Sequence, residues 1–254
     1  MRKYKKLMSF GIIFFLALFF VGCETRIESN FNEENISFKD IKMPDIEGFK
    51  VSIQNLRNSN DEKIGKITIK EEKGNNEICY LTGDGSDKVN LDINKDKKEI
   101  IISPKEKYID SKGNLNININ VPISYIQIFG GAFSLDIKMQ SEKNFYSKFR
   151  CAINGKIDIK NADKVDLNFA GAGDLDLIGK AKDFNIECDG AGNIDAEKFY
   201  VKNANVKLNG AGNCIVNANE SFDGTINGVG SIKYKGDPKS VQKSVNGIGK
   251  IGKE

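Results

Sequence analysis

Asp158, Asp176 and Asp195, with Asp174 beside them, recur at a spacing that brings carboxylates over one another in any structure with a repeat near 19 residues. Stacked like charges repel, so a bound Ca²⁺ would relieve them. Set in a cleft beside a basic group, the same residues could move protons on a polysaccharide. The column does not continue, however, because Ile215 and Lys233 take its next positions. Neighbouring lysines neutralise a solvated acidic face without a metal. The expectation is therefore no metal, no cofactor and no catalytic residue. His is absent, which removes His-based triads and His metal sites. Cys79, Cys151, Cys188 and Cys214 include no C-x-x-C spacing, so a zinc site or dithiol motif is unsupported and the four read as small buried hydrophobes. Cys151 is expected in the same column as Cys188, two coils or ~9.6 Å away and beyond a disulfide's reach. A Cys188–Cys214 bridge stays open.

One further cysteine is placed differently. Arg2, Lys3, Lys5 and Lys6 precede an apolar stretch from Leu7 to Val21, and Gly22 and Cys23 close it. This is the layout of an export signal, too short for the roughly 20 apolar residues of a lasting membrane span. The tetrad Phe20-Val21-Gly22-Cys23 resembles the bacterial lipobox, with Phe20 where Leu is usual. That resemblance implies cleavage between Gly22 and Cys23 and lipid, such as palmitate, on Cys23. The expected organisation is a signal peptide over 1–22, a polar tether over 23–40 and a folded domain over 41–254. The localisation that follows is extracytoplasmic, on the outer face of the cell membrane. A composition rich in Lys, Asn and Ile points to a Gram-positive host.

The leader holds four of the 38 Lys and Arg, so the rest of the chain balances 34 against 35 Asp and Glu. With no basic block interleaved with aromatics, nucleic acid is not an expected partner.

The elements that must carry these side chains are set by a repeat. Gly171-Ala-Gly173, Gly190-Ala-Gly192, Gly210-Ala-Gly212, Gly228-Val-Gly230 and Gly247-Ile-Gly249 begin 19, 20, 18 and 19 residues apart. Stacking the copies aligns Phe169, Cys188, Leu208, Ile226 and Val245 two residues before the first glycine. Leu175, Ile194, Cys214, Ile232 and Ile251 align four after it, and Val165, Phe184, Ala204, Phe222 and Val241 six before it. Period-2 alternation inside a period near 19 predicts an all-β parallel β-helix whose inward columns are shared between coils. The paired glycines suit corners, where the chain needs left-handed φ or close approach between coils. A phosphate cradle would need a helix after them, and a strand pattern follows instead. A degenerate copy fits one period earlier if Gly155 stands where Gly173 does, which puts Asp158 in the column of Asp176. In the last copy Lys243 and Lys253 replace apolar column residues and protect an open end.

Before residue 150 strands fit 49–54, 64–70, 89–93, 98–103 and 115–121. The β-helix extends back through them, with a small capping sandwich as the rival, to give roughly 11 coils and a rod of ~50 Å.

The Gly-x-Gly-[Asp/Asn]-apolar units, Gly224-Thr225-Ile226-Asn227-Gly228 and Tyr234-Lys235-Gly236-Asp237-Pro238 together resemble the putative auto-transporter adhesin, head GIN domain family over roughly residues 45–250. Where that family commonly has Ser between the glycines, this chain has Ala, Val or Ile. The resemblance implies a right-handed β-helix at the cell surface with no established activity. The expected function is a non-catalytic, lipid-anchored binding or adhesive module. Its partner would be a matrix protein, a cell-wall polymer or an envelope protein. An envelope structural or sensory lipoprotein is the first alternative and a polysaccharide-active enzyme the second.

Overall fold

A computed structural model describes residues 47–57, 65–72, 77–107, 113–140 and 143–254, all within the compact unit Asp45–Glu254. The lipidation site Cys23, the cleavage site and the tether lie outside the described residues. Every described element is a strand apart from one 3₁₀ turn at Ser86–Lys88. The strands form a β-solenoid of about six turns with parallel pairing.

Four strands build the regular part: β8 (Phe145–Phe169), β9 (Ala172–Cys188), β10 (Ala191–Leu208) and β11 (Ala211–Ile226). Each is a whole coil bent through its corners, interrupted only by two-residue breaks such as 170–171 and 189–190. Alternation along each coil sends every second side chain inward, and the register then stacks like on like. Leu175 pairs with Ile194, Ile194 with Cys214, and Cys214 with Ile232 of β12 (Val229–Lys235). Val165, Phe184, Ala204 and Phe222 run in a parallel column that ends at Val241 of β13 (Ser240–Val245). The apolar columns read from the sequence are thus the core, except in the last coil, where Val241 and Val245 are exposed. Aromatic rings fill its width, Phe184 edge-on to Phe199 at 4.9 Å and Phe222 stacked on Tyr234 at 4.5 Å. β14 (Ile248–Lys253) completes the last turn against β12. There Lys243 places its ammonium 4.9 Å over the Tyr234 ring, and Lys253 is held by Asp237 at 2.5 Å.

The degenerate copy departs from its expected register. Ala152 pairs with Ala172 and Gly155 with Leu175, a displacement of two residues. Gly155 is therefore no corner glycine but a gap in an inward column, between Leu135 and Leu175. A shift of two residues leaves inward side chains inward, so the register is set by which of them stack: here the buried Phe149 falls into the column of Phe169, and Ile157 lies over Leu177.

The N-terminal portion continues the stack but shuffles chain order. β1 (Phe49–Gln54) and β2 (Lys66–Glu71) lie parallel to the two halves of β7 (Ile123–Met139). β5 (Glu99–Pro104) and β6 (Leu115–Ile119) then lie outside β1 and β2, so the second coil in sequence is the outermost in space. Antiparallel β4 (Val89–Asn94) and β3 (Cys79–Thr82) close that edge against β5 and β6. The roughly 11 coils expected reduce to about six turns because these strands pair as half-coils and edge strands.

Candidate functional site

The Gly-x-Gly corner is the most repeated feature, and its chemistry follows from how closely coils approach. A β-carbon on Gly190 would stand 2.0 Å from the Gly171 carbonyl oxygen, and one on Gly210 would stand 1.8 Å from that of Gly190. The second glycine of the pair adds a backbone constraint: Gly173 has φ +118°. Corner N–H groups are consumed within the stack. Asp189 and Gly190 both donate to Phe169 O, and Ala191 donates to Gly171 O at 2.9 Å. With those donors engaged and a strand following, the corner has no cradle for a phosphate.

Flanking the glycines, side chains form two ladders up the stack. Asn193 donates its backbone N–H and its Nδ2 to Asp174 Oδ1, at 3.1 and 2.8 Å. Its own Oδ1 accepts the same two bonds from Asn213, at 3.2 and 2.9 Å. Asn154 begins this ladder by accepting from Asp174 N–H, and the Ser231 hydroxyl ends it on Asn213. A second ladder joins Asp189, Asn209, Asn227 and Asn246. Neither was identified from the sequence, although the recurring [Asp/Asn]-Gly-x-Gly-[Asp/Asn/Ser] pattern carries the signal. Asn193→Ala deletes the three exposed hydrogen bonds made by the side chain, keeps the one from the backbone N–H, and should cost about 1 kcal/mol of stability, as a lowered urea midpoint.

The acidic column is smaller than the sequence suggests. Asp176 and Asp195 do pair, but Asp158 stands opposite Ile178, displaced by the register of the degenerate copy, and Lys156 takes its place over Asp176. Asp174 is engaged by the Asn ladder, and Asp195 Oδ1 accepts the Glu197 N–H at 2.9 Å. Glu197 is held below the ordinary carboxylate range by its hydrogen bond to Lys235 and that residue's charge. Among the described residues no group of three His, Cys, Asp or Glu could hold a metal. Millimolar Ca²⁺ should leave the melting temperature unchanged; a clear rise abolished by Asp176→Asn would establish a cation site.

The four thiols are buried and free. Cys151 lies beneath Gly171 rather than in the column of Cys188, because of the same register change. Cys188 stacks on Leu208 and Cys214 on Ile194, in different columns, and no bridge joins them. Burial pushes the Cys79 and Cys151 thiols up to about 12, and raises Cys188 and Cys214 as well, so none is a ready nucleophile.

Known proteins give the fold a context. No protein of curated function matches this chain. A putative adhesin from Bacteroides fragilis superposes with a TM-score of 0.67 at 23% identity, covering 82% of this chain and 94% of that one. A putative lipid binding protein from Parabacteroides distasonis gives 0.56 at 18% identity, covering 83% and 94%. A putative adhesin from Parabacteroides merdae gives 0.56 at 16% identity, covering 82% and 93%. At these identities the likeness is one of fold. The sequence match is the more specific result, since residues 63–238, somewhat fewer than the 45–250 expected, fit a single family along most of the solenoid. The chain belongs to the putative auto-transporter adhesin, head GIN domain family.

Proposed function

We propose that this protein is a non-catalytic surface module, anchored by lipid on Cys23, whose coil faces contact an extended partner such as a matrix protein, a cell-wall polymer or an envelope protein. The observation that carries this reading is the evenness of the coils. From Phe145 to Lys253 no break between strands exceeds the four residues 236–239, so nothing rises from the stack to wall a cleft. Catalysis needs reacting groups held around a substrate in three dimensions, whereas an even face offers area. Membership of a family described as adhesins supports display at the cell surface. Among the described residues no helix is long and apolar enough to cross a membrane. Attachment through the lipid supports display without such a helix.

Contact with an extended partner spreads over several coils, so single surface substitutions should weaken whole-cell or polymer binding gradually, each by about two- to five-fold. The test pairs a binding screen on cells, matrix proteins and cell-wall fractions with an activity screen on polysaccharides. Turnover abolished by Asp176→Asn or Asp195→Asn alone would overturn this reading in favour of an enzyme.

A further inference from the structure

Some cations on the outer faces are answered by an acid nearby: Lys50 by Glu99 at 3.0 Å, Lys164 by Asp166 at 2.9 Å, Lys207 by Glu187 at 3.6 Å. Lys148 and Arg150 are not, and they stand together. They are alternate outward residues of β8, ~6.6 Å apart along the strand, and neither forms an ion pair among the described residues. Lys148 is half-buried, and its ammonium is pushed below the ordinary lysine range, first by that burial and then by the Arg150 charge. Two like charges are thus held together at some cost, which a bound anion would relieve.

Their surroundings are neutral and fixed. The Arg150 guanidinium lies 6.0 Å over the buried Phe129 ring. Beside Lys148 on β7 is Gln127, fully buried, which donates to Ser52 Oγ at 2.8 Å and accepts from the Tyr125 hydroxyl at 3.3 Å. Arg57 adds a second guanidinium next to this floor, its Nε 3.3 Å from where a β-carbon on Gly130 would stand. On the C-terminal side the nearest acids are engaged, Asp166 by Lys164 and Asn185, Glu187 by Asn168 and Lys207. The result is a cationic patch on the N-terminal coils of a chain that is otherwise near neutral.

We propose that Lys148 and Arg150 form a contact for the anionic headgroups of the bilayer to which the chain is tethered. This rests on the lipid-anchor reading. Chain connectivity selects the occupant: β8 stacks on β7 and β7 on β1, and β1 begins only 26 residues after Cys23. If those residues are the polar tether expected from the sequence, their end-to-end distance is about 30 Å. Lipid on Cys23 therefore holds this patch, more than any later coil, at high effective concentration near headgroup phosphates. Arg and Lys each gain about five-fold in partition at an anionic surface, and guanidinium suits phosphate oxygens. Contact here would lay the N-terminal coils against the membrane and turn the later coils outward.

The chain from residue 24 onward retains the entire core, which lies inside the unit Asp45–Glu254, and carries no lipid. Its co-sedimentation with phosphatidylcholine vesicles containing about 30 mol% phosphatidylglycerol isolates the patch from the anchor. Binding is expected to these vesicles, not to pure phosphatidylcholine, and to be lost in about 0.5 M NaCl. The double variant Lys148→Gln/Arg150→Gln should bind about ten-fold or more weakly. Lys180→Gln/Lys182→Gln, which removes the same charge at the same spacing from two exposed positions of β9, should stay within about two-fold. Equal loss in both double variants, or no preference for the anionic vesicles, would overturn the proposal. So would binding to dextran sulfate in preference to vesicles that only the first double variant abolishes, since that makes the patch a site for acidic polysaccharide. Fractionation of Cys23→Ala reads the anchor separately, so either result can fail without the other.

Discussion

Gly210→Val should destabilise the protein by about 3 kcal/mol or more, the largest effect expected of a single surface substitution in this chain. The cause is contact between backbones, not lost flexibility. A β-carbon at 210 meets the Gly190 carbonyl oxygen at 1.8 Å, and that oxygen also accepts the Ala211 N–H at 2.9 Å. Moving the carbonyl aside breaks the bond that joins the two coils at the corner. Moving the coil aside opens the column in which Leu208 stacks on Cys188 and Ile226. Gly252→Ala supplies the contrast, because nothing lies within 4 Å of its β-carbon, and it should shift stability by no more than about 0.5 kcal/mol. Lys207→Ala loses only an exposed pair with Glu187 and should behave likewise. Urea denaturation followed by far-UV circular dichroism separates the three. Coincident midpoints would remove the corner argument. If the valine variant does not accumulate in folded form, Gly210→Ala tests the same contact with a smaller group.

The corner was legible in the sequence because two signals coincide there. Alternation placed Phe169, Cys188, Leu208 and Ile226 in one column, and the glycines marked where each coil turns. Where the signals conflict, the apolar column wins. Gly155 looked like a corner glycine, yet Phe149 lies 20 residues before Phe169, and Ala170 donates to Phe149 O at 2.9 Å. Reading the column rather than the glycine would have placed Asp158 opposite Ile178 and left only Asp176 and Asp195 stacked. The exchange of coils near the N-terminus had no such signal. β1, β5 and the half of β7 over 123–129 are all short runs that mix apolar and polar residues, and nothing local says that β1 belongs between the other two. Strand existence is a local property, whereas stacking order depends on pairing across many residues. The cationic pair shows the same division. Its residue types are plain in Lys148-Phe149-Arg150, but only register reveals that Gln127 and Phe129 stand beside them where acids could have stood.

Cys23→Ala should move the protein from the membrane fraction to the soluble extracellular fraction, or leave the uncleaved precursor behind, and should abolish labelling by a metabolically supplied fatty acid. The effect is large because no other described feature is a strong anchor. Each acyl methylene buried in the bilayer contributes about 0.8 kcal/mol, so a full chain outweighs anything a flat polar face can offer. The apolar stretch from Leu7 to Val21 is shorter than the roughly 20 residues of a membrane span. Undiminished labelling of the mutant would refute lipidation at this residue, and salt-resistant membrane retention of a mutant that has lost its leader would show a second anchor. Weak retention that salt removes has a different meaning. It is what Lys148 and Arg150 would provide alone, since contact between exposed cations and headgroups is screened within about 10 Å at moderate ionic strength whereas a buried acyl chain is not. Adding Lys148→Gln/Arg150→Gln to Cys23→Ala should remove that residue of binding. Added to the wild-type cysteine, the same pair should leave the protein in the membrane fraction and change only how the solenoid leans on it.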